Sequence, residues 1–391
     1  MQSIRDRVAI VGMGCSKFGE RWDSGISDLL VESGFEALQD AGIEAKDIQA
    51  AWVGIQYGVN SGQVLSRAMK FDYIPISRLE NYCCTATDAF RNACYAVAAG
   101  IYDIAFVAGV EKLKDSGYSG LGGVGEPSSQ VGAPVPPPAQ FALAAVRYMK
   151  HYGVSYEQLK RALGLIAVKN HHNGSLNPKA HFQREITLEQ AINAPMMAYP
   201  LGLYDCCGVS DGSAAAVITT PEIAKTLRDD YILVKGIGLV CGAGQGTMLD
   251  SYDFVHFPEN VAASKIAYKE AGITDPAHQI DLAEVHDCFS ITEGIIMEDL
   301  GFCPRGKFPE YEEKGYFNLD GQIAINSDGG LKCFGHPIGA SGLRMIYEVY
   351  KQLQGKAGPR QRKNPKLGLT HNLGGTPGSF TCAVSIFGRH D

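Results

Sequence analysis

Short apolar runs alternate along this chain with stretches in which apolar residues recur every three or four positions, the pattern of buried strands interleaved with amphipathic helices. Val8 to Val11 predicts a first strand ending in a glycine turn, and Ile26 to Ala41 a helix stopped by Gly42. Trp52 to Ile55 predicts a short second strand. From Cys83 to Ala99 a helix is expected, because Ala86, Ala89, Phe90, Ala93, Cys94 and Val97 share one face and Gly100 ends it. Ile104 to Ala108 then reads as a buried strand. Such alternation is the mark of α/β architecture. Asp115 to Pro138, crowded with Gly, Ser and Pro, predicts loop. A more polar, helical region follows to about Pro200, and α/β texture returns at SDGSAAAVITT.

The pattern also repeats. DAGIEAKDIQAAWV, from Asp40, matches EAGITDPAHQIDLAEV, from Glu270, in apolar spacing and in its helix-ending glycine. The helix after Cys83 has a counterpart after His336, where Gly342, Met345, Ile346, Val349, Tyr350 and Leu353 keep the three/four spacing. DGSAAAVIT near Asp211 is echoed by GSFTCAVSI near Gly378. Any α/β protein contains helix–glycine–strand units, but three matches in one order predict two similar halves, 1–112 with 205–230 and 231–391, around an insertion over 113–204.

Composition narrows the function. The 391 residues are 45% hydrophobic and 20% charged, as in a folded protein, and carry a net charge of −7. That balance disfavours a general nucleic-acid binder, which displaces counterions with an excess of Lys and Arg. The chain enters its first strand without a charged–apolar leader, carries no apolar run of membrane-spanning length, and ends in FGRHD without a peroxisomal or lipidation motif. The expectation is a cytoplasmic protein whose 11 cysteines are free thiols. No CxxC pair is present, which disfavours structural zinc.

Four clusters are candidates for chemistry. Cys83 and Cys84, in ENYCCTATDAF, stand at a helix start, where unpaired N–H groups lower a thiol pKa; buried packing cysteines are the bland alternative. His336, in NSDGGLKCFGHPIGASG, occupies the related place in the second half, on a backbone constrained by Gly335, Pro337 and Gly339; a satisfied core histidine is its alternative. EVHDCFSITE brings His286, Asp287 and Cys288 to a strand end, and THNLGGTPGS leads His371 and Asn372 into Gly374 and Gly375. Strand ends and glycine turns are where α/β proteins place their chemistry.

Together, the double-Cys helix start, HDCF, GHPIGASG and HNLGG resemble the thiolases, in particular the sterol-carrier-protein and lipid-transfer type. NHHNGSLNPKAHFQREITLEQ and DCCGVSDGSAAAVI resemble that family's loop domain and its return to the core, so the resemblance spans the chain. It implies a five-layer α-β-α-β-α core of two duplicated halves with an inserted loop domain that receives coenzyme A. It also implies cleavage, or Claisen formation, of a 3-oxoacyl-CoA, with no tightly bound cofactor. By the resemblance, Cys83 is the nucleophile and His336 activates it and donates to the thioester oxyanion. Cys288 is the second, acid/base thiol. His286 stands where other members use Asn to hold a water in the oxyanion hole, and Gly374 offers an amide to a second one. Thr85 replaces a common Ser, and Ala86 a common Gly. The usual carboxyl-terminal catalytic Cys is absent, which places the whole acid/base role on Cys288, with Cys333 as the competing thiol.

Such proteins are usually dimers or tetramers, and relatives of this type often work with a small zinc-ribbon/OB-fold protein; both are expectations here. Lys169, His171, His172, Lys179 and Arg184 are the candidate basic patch for coenzyme A, against the simpler reading of a solvated face. Met196, Met197 and Tyr199, with the glycine/proline segment, are candidates to shape the acyl pocket. Acetoacetyl, branched and aromatic acyl groups all remain open. GMGCSKFG fails the dinucleotide fingerprint at Lys17, and no GxxxxGK[ST] occurs. GVSDG at Gly208 fits a hydrolase elbow in letters, but its strand follows the serine instead of preceding it. A non-catalytic lipid carrier or scaffold is the alternative function, and joint retention of Cys83, Cys288 and His336 counts against it.

Overall fold

A computed structural model describes residues 3–115, 135–244, 246 and 252–390. Its strands are β1 (Ala9–Cys15), β2 (Ala50–Gly54), β3 (Ile76–Leu79), β4 (Ile104–Glu111), β5 (Met196–Ala198), β6 (Leu201–Gly202), β7 (Gly212–Thr219), β8 (Ile232–Cys241), β9 (Leu282–Glu284), β10 (Ala324–Ile325), β11 (Leu367–Thr376) and β12 (Ser379–Gly388). The longer helices are α1 (Ile26–Ala41), α2 (Thr85–Ala98), α3 (Pro137–Tyr152), α4 (Tyr156–Ser175), α5 (Pro258–Ala271), α6 (Ser290–Asp299) and α7 (Ser341–Leu353).

Ten strands hydrogen-bond in the order β10-β9-β11-β12-β8-β1-β7-β4-β2-β3. Two five-strand groups lie within that order. In one, β2 runs parallel to β3 and β4, while β7 joins β4 and β1 antiparallel. In the other, β9 runs parallel to β10 and β11, while β12 joins β11 and β8 antiparallel. Position for position the two groups are the same, and β1 joins β8 through the pairs Ala9↔Leu233 and Ile10↔Ile232.

Strand periodicity explains the layers. On β4, Ala105 and Val107 face a core shared with α2 and α7, while Phe106 and Ala108 face the other way, into the core under α1. Both faces are dry, so the strand reads as one apolar run instead of alternating. Beyond the second group, Ala283, Leu369, Val384 and Ile386 pack with Ala263 and Ala267 of α5. The central helix α7 is buried at every residue except Lys351.

Matched glycines bring a helix down on each group. A Cβ on Gly12 or Gly14 of β1 would stand 2.3 Å from the Ala37 carbonyl oxygen and 2.0 Å from that of Ser33, both on α1. On β8, Gly236 and Gly238 meet the carbonyl oxygens of Ala267 and Ala263 on α5 at 2.5 and 2.1 Å. Each helix then stops at a left-handed glycine, Gly42 (φ 70°) and Gly272 (φ 73°), the pair read from the repeat.

Between β4 and β7 the chain leaves to build α3, α4 and the β5–β6 ribbon, whereas β11 and β12 are joined by Pro377 and Gly378 alone. Most of the loop expected over Asp115 to Pro138 lies outside the described residues. Its end differs from the expectation, because Pro137 and Pro138 open α3, where a missing N–H costs nothing. The Gly208 motif is no hydrolase elbow. Ser210 is buried on the His181 ring (2.9 Å), and β7 follows it.

Gly238→Ala tests the close packing of α5. Overpacking by one methyl group against backbone lowers stability by about 1–3 kcal/mol. A fall in the thermal midpoint is expected, whereas Gly100→Ala, whose Cβ would meet nothing within 4 Å, suffers only its left-handed backbone.

Candidate active site

Cys83 stands two residues before the first residue of α2, on a turn forced by its neighbour. Tyr82 holds φ 50°, a left-handed conformation uncommon for a side chain of that size. Asn81 pins the turn, its N–H bonding Thr85 Oγ1 (2.8 Å) while its carbonyl receives the Cys84 N–H (3.1 Å). Gly374 closes the wall behind it. A Cβ there would lie 2.7 Å from Tyr82 Cβ and 2.9 Å from the Cys83 nitrogen, so only glycine fits. The Gly374 amide faces the sulfur of Cys84, which is buried and donates to the carbonyls of Asn372 (3.3 Å) and Thr381 (3.1 Å). Cys84 is thereby a packing thiol, and Cys83 is left half-buried.

His336 arrives from the turn before α7. Gly339 of that turn lies so close to β4 that a Cβ would sit 2.4 Å from the Val110 carbonyl oxygen. Glu111 fastens the turn, accepting the N–H groups of Gly339, Gln56 and Tyr57, each at 3.0 Å. Burial pushes its carboxyl up to about 7 against those three donors. Ser341 donates its hydroxyl to the Pro337 carbonyl (2.9 Å), so its oxygen receives the proton of His336 Nδ1 (2.7 Å). That assigns the tautomer: Nε2 carries a bare lone pair, is buried, and has no partner. Burial and the Arg344 guanidinium hold this imidazole down to about 3.

His286 comes from just past the end of β9 and meets His336 edge to face, ring centroids 5.2 Å apart. It is buried, its Nδ1 is also without a partner, and burial with the neighbouring imidazoles holds it well below the usual range. One donor atom each from Cys83, His286 and His336 lie within 4.8 Å of one another. Cys288 lies beside the group, bonded to Thr292 Oγ1 (3.8 Å) and near enough to Cys83 that a Cys83 thiolate would disfavour its own. Burial raises both thiols, so at neutral pH the resting site holds protonated sulfur beside neutral imidazole. The lowered Cys83 pKa expected from a helix start is reversed, because desolvation outweighs a dipole that decays within one turn.

Other residues of the motifs turn elsewhere. Asp287 caps the short helix Gly330–Cys333, accepting the Leu331 N–H (2.6 Å) and the Asn170 side chain (2.9 Å). His371 bonds Asn260 Oδ1 (2.9 Å), and Asn372 accepts from Thr87 Oγ1 (2.6 Å). Cys333 packs against Gly174, away from Cys83. Of the four clusters, then, three deliver a side chain to one place and HNLGG delivers a backbone wall.

Three members of the expected basic patch have no charge to offer a phosphate. Lys169 is buried between Glu293 (2.5 Å) and Glu312 (3.0 Å). His171 is buried, with Nδ1 on the Arg184 carbonyl (2.9 Å) and a depressed pKa that keeps it neutral. Lys179 is tied to Glu36 (2.5 Å) and to the Cys15 carbonyl. Of the five only His172 and Arg184 are exposed, and His172 Nδ1 rests on Glu185 (2.9 Å). Met196, Met197 and Tyr199 ride on the exposed β5–β6 ribbon, about half open to solvent, and not in an enclosed pocket. Sequence reasoning missed Ser341 and Glu111, and also Lys332, a buried ammonium bonded to the Asp205 carbonyl (2.9 Å) whose charge favours the thiolates of Cys207 and Cys288. A serine opening a helix five residues after the candidate histidine was the one signal on offer.

The chain matches known proteins along almost its whole length. Residues 8–222 match the thiolase N-terminal domain and residues 244–389 the thiolase C-terminal domain-like family. An acetyl-CoA acetyltransferase of Methanothermobacter thermautotrophicus is 38% identical over 99% of this chain and all of its own length. Sterol carrier protein 2 of Gallus gallus is 31% identical over 95% of this chain and 70% of its own. A solved Ltp2-ChsH2(DUF35) aldolase superposes with a TM-score of 0.86 at 26% identity, covering 99% of both chains. With both of its family domains in place around a cysteine, two bare imidazoles and a second thiol, the chain belongs to the thiolase family and has its fold.

Proposed function

We propose that this chain catalyses CoA-dependent cleavage, or the reverse Claisen formation, of a 3-oxoacyl-CoA through an acyl-enzyme on Cys83. The observation that carries the reading is the bare, buried Nε2 of His336 beside the Cys83 sulfur, a base with nothing else to accept. A lipid carrier has no use for an unpaired imidazole, which costs desolvation without return.

In the cleavage direction Cys83 Sγ bonds to the 3-oxo carbon while its proton passes to His336 Nε2. The base thereby becomes an N–H donor at the moment an oxyanion forms within its reach. The C2–C3 bond then breaks, its electrons entering the acyl-CoA enolate, and Cys288 delivers its proton to C2. A thiol whose pKa burial has raised is protonated at working pH, as an acid must be. Free CoA next attacks the Cys83 thioester and gives its proton to the Cys288 thiolate, while Cys83 recovers its own from His336. His286 is the second imidazole at the thioester oxygen; Gly374, whose amide faces Cys84, contributes only the close-packed wall behind Cys83 and not the oxyanion donor expected of it. CoA is the co-substrate, and Arg184 is the phosphate contact retained from the basic patch. Among the described residues the cysteines are free and no helix is long and apolar enough to cross a membrane.

The acyl group is of a non-standard, branched or aromatic kind in this reading, and the chain works with a small zinc-ribbon/OB-fold partner in a dimer or larger assembly. Support comes from the solved Ltp2-ChsH2(DUF35) aldolase, a two-component assembly by its name. The division into halves 1–112 with 205–230 and 231–391 around an insertion is part of the same proposal, and the repeated strand order supports it.

Cys83→Ala is expected to abolish cleavage and the acyl adduct seen by mass spectrometry, since Cys84 is locked on two carbonyls and cannot substitute. Cleavage that persists with every 3-oxoacyl-CoA in the panel would falsify the reading. Cys288→Ala still forms the adduct from acyl-CoA, while exchange of enolate protons with deuterated water slows about 10²- to 10⁴-fold. Ser341→Ala frees the His336 ring to rotate and lowers kcat about 10²-fold with KM nearly unchanged. An unaltered kcat would mean that the Ser341 bond does not orient the base.

A further inference from the structure

Thiol and imidazole are also the donors that borderline divalent metals prefer, and three of them converge here. His336 is held as a metal-binding histidine is held, with Nδ1–H on a neighbouring oxygen and Nε2 open. His286 is buried with an unpartnered ring nitrogen, and the Cys83 sulfur lies with both inside 4.8 Å. Tetrahedral zinc, at about 2.0 Å from nitrogen and 2.3 Å from sulfur, needs donors roughly 3.5 Å apart. Closing the set requires an inward shift of about an ångström shared among three side chains.

We propose that Cys83, His286 and His336 form a three-donor site for a divalent cation of the Zn²⁺ class, and that its binding caps the nucleophile and switches the enzyme off. The fourth position stays open to water, or to the Cys288 sulfur beside it. Binding forms a metal–sulfur bond, breaks the Cys83 S–H bond and releases that proton to solvent. Nothing is oxidised or reduced, and a chelator reverses the block. Hard cations such as Mg²⁺ are excluded by the donor set, which offers no carboxylate. The metal site stands on geometry alone; only its inhibitory consequence rests on Cys83 being the nucleophile.

Co²⁺ added to the full-length protein is the probe. One equivalent is expected to bind, with a thiolate-to-cobalt charge-transfer absorption and one proton released, and Zn²⁺ to displace it. Cys83→Ser loses the absorption, and His286→Asn and His336→Gln weaken binding at least about tenfold. Ser341→Ala, which removes only the orienting bond, weakens it about 10- to 100-fold. Cys241→Ser, at an exposed thiol, changes nothing. An absorption that persists in Cys83→Ser, or vanishes in Cys241→Ser, overturns the assignment. A second measurement needs no variant: Zn²⁺ must protect Cys83 of the native chain from iodoacetamide, read peptide by peptide, and equal alkylation with and without metal refutes the site. Stoichiometric Co²⁺ binding in a protein whose Cys83→Ala form still cleaves substrate would leave the metal site standing and remove the proposed reaction instead.

Discussion

Arg344 lies on the central helix α7 with no exposure to solvent, and its charge is tolerable only because Asp328 grips Nη1 with both oxygens (2.8 and 2.6 Å) and Glu284 adds a third bond (3.0 Å). Burying an unpaired ion costs several kcal/mol, and removing one partner of such a group typically costs about 3–5 kcal/mol. The two carboxylates are also the residues that deliver the chemistry. Glu284 ends β9, two positions before His286, and Asp328 sits in the turn that leads to His336. Neutralising one guanidinium therefore fixes the approach of both imidazoles. A second layer, in which Glu348 bonds Arg360 and reaches Ser327, secures α7 from its other end.

That cation also shapes the resting state. It helps hold His336 far below its solution pKa, while burial raises the thiols. The site waits as neutral acid beside neutral base, and charge appears only when a substrate oxygen can share it. Such a pair is quiet toward chance electrophiles and sensitive to ligands that carry positive charge with them, which is why the proposed catalytic and metal-binding roles fall on the same three residues.

Local patterns were legible where the interactions are local. Helix stops at Gly42 and Gly272, the dry face of α2 and the unbroken apolar run of β4 all depend on residues within a turn or a strand, and the repeat exposed the matched halves of the sheet. HDCF, GHPIGASG and the double cysteine were visible as motifs, although Asp287 proved to cap a helix. What stayed hidden was long-range pairing. Lys169 looks like an open cation until Glu293 and Glu312, more than a hundred residues on, close over it. Lys179 is cancelled by Glu36, 143 residues before it. The direction of the Cys83 shift was hidden too, since a helix start is readable in letters but the dryness around it belongs to the whole fold.

The unequal connections of the two halves bear on how the chain is made. β7 belongs between β1 and β4, yet it begins at Gly212, while β4 ends at Glu111. At ribosomal speed the intervening residues take on the order of five to twenty seconds to emerge. Through that interval both neighbours of the missing strand present unpaired backbone and apolar faces, the surfaces on which nascent chains aggregate or recruit chaperones. The second half meets no such delay, because β12 follows β11 across two residues and closes as soon as it clears the exit tunnel.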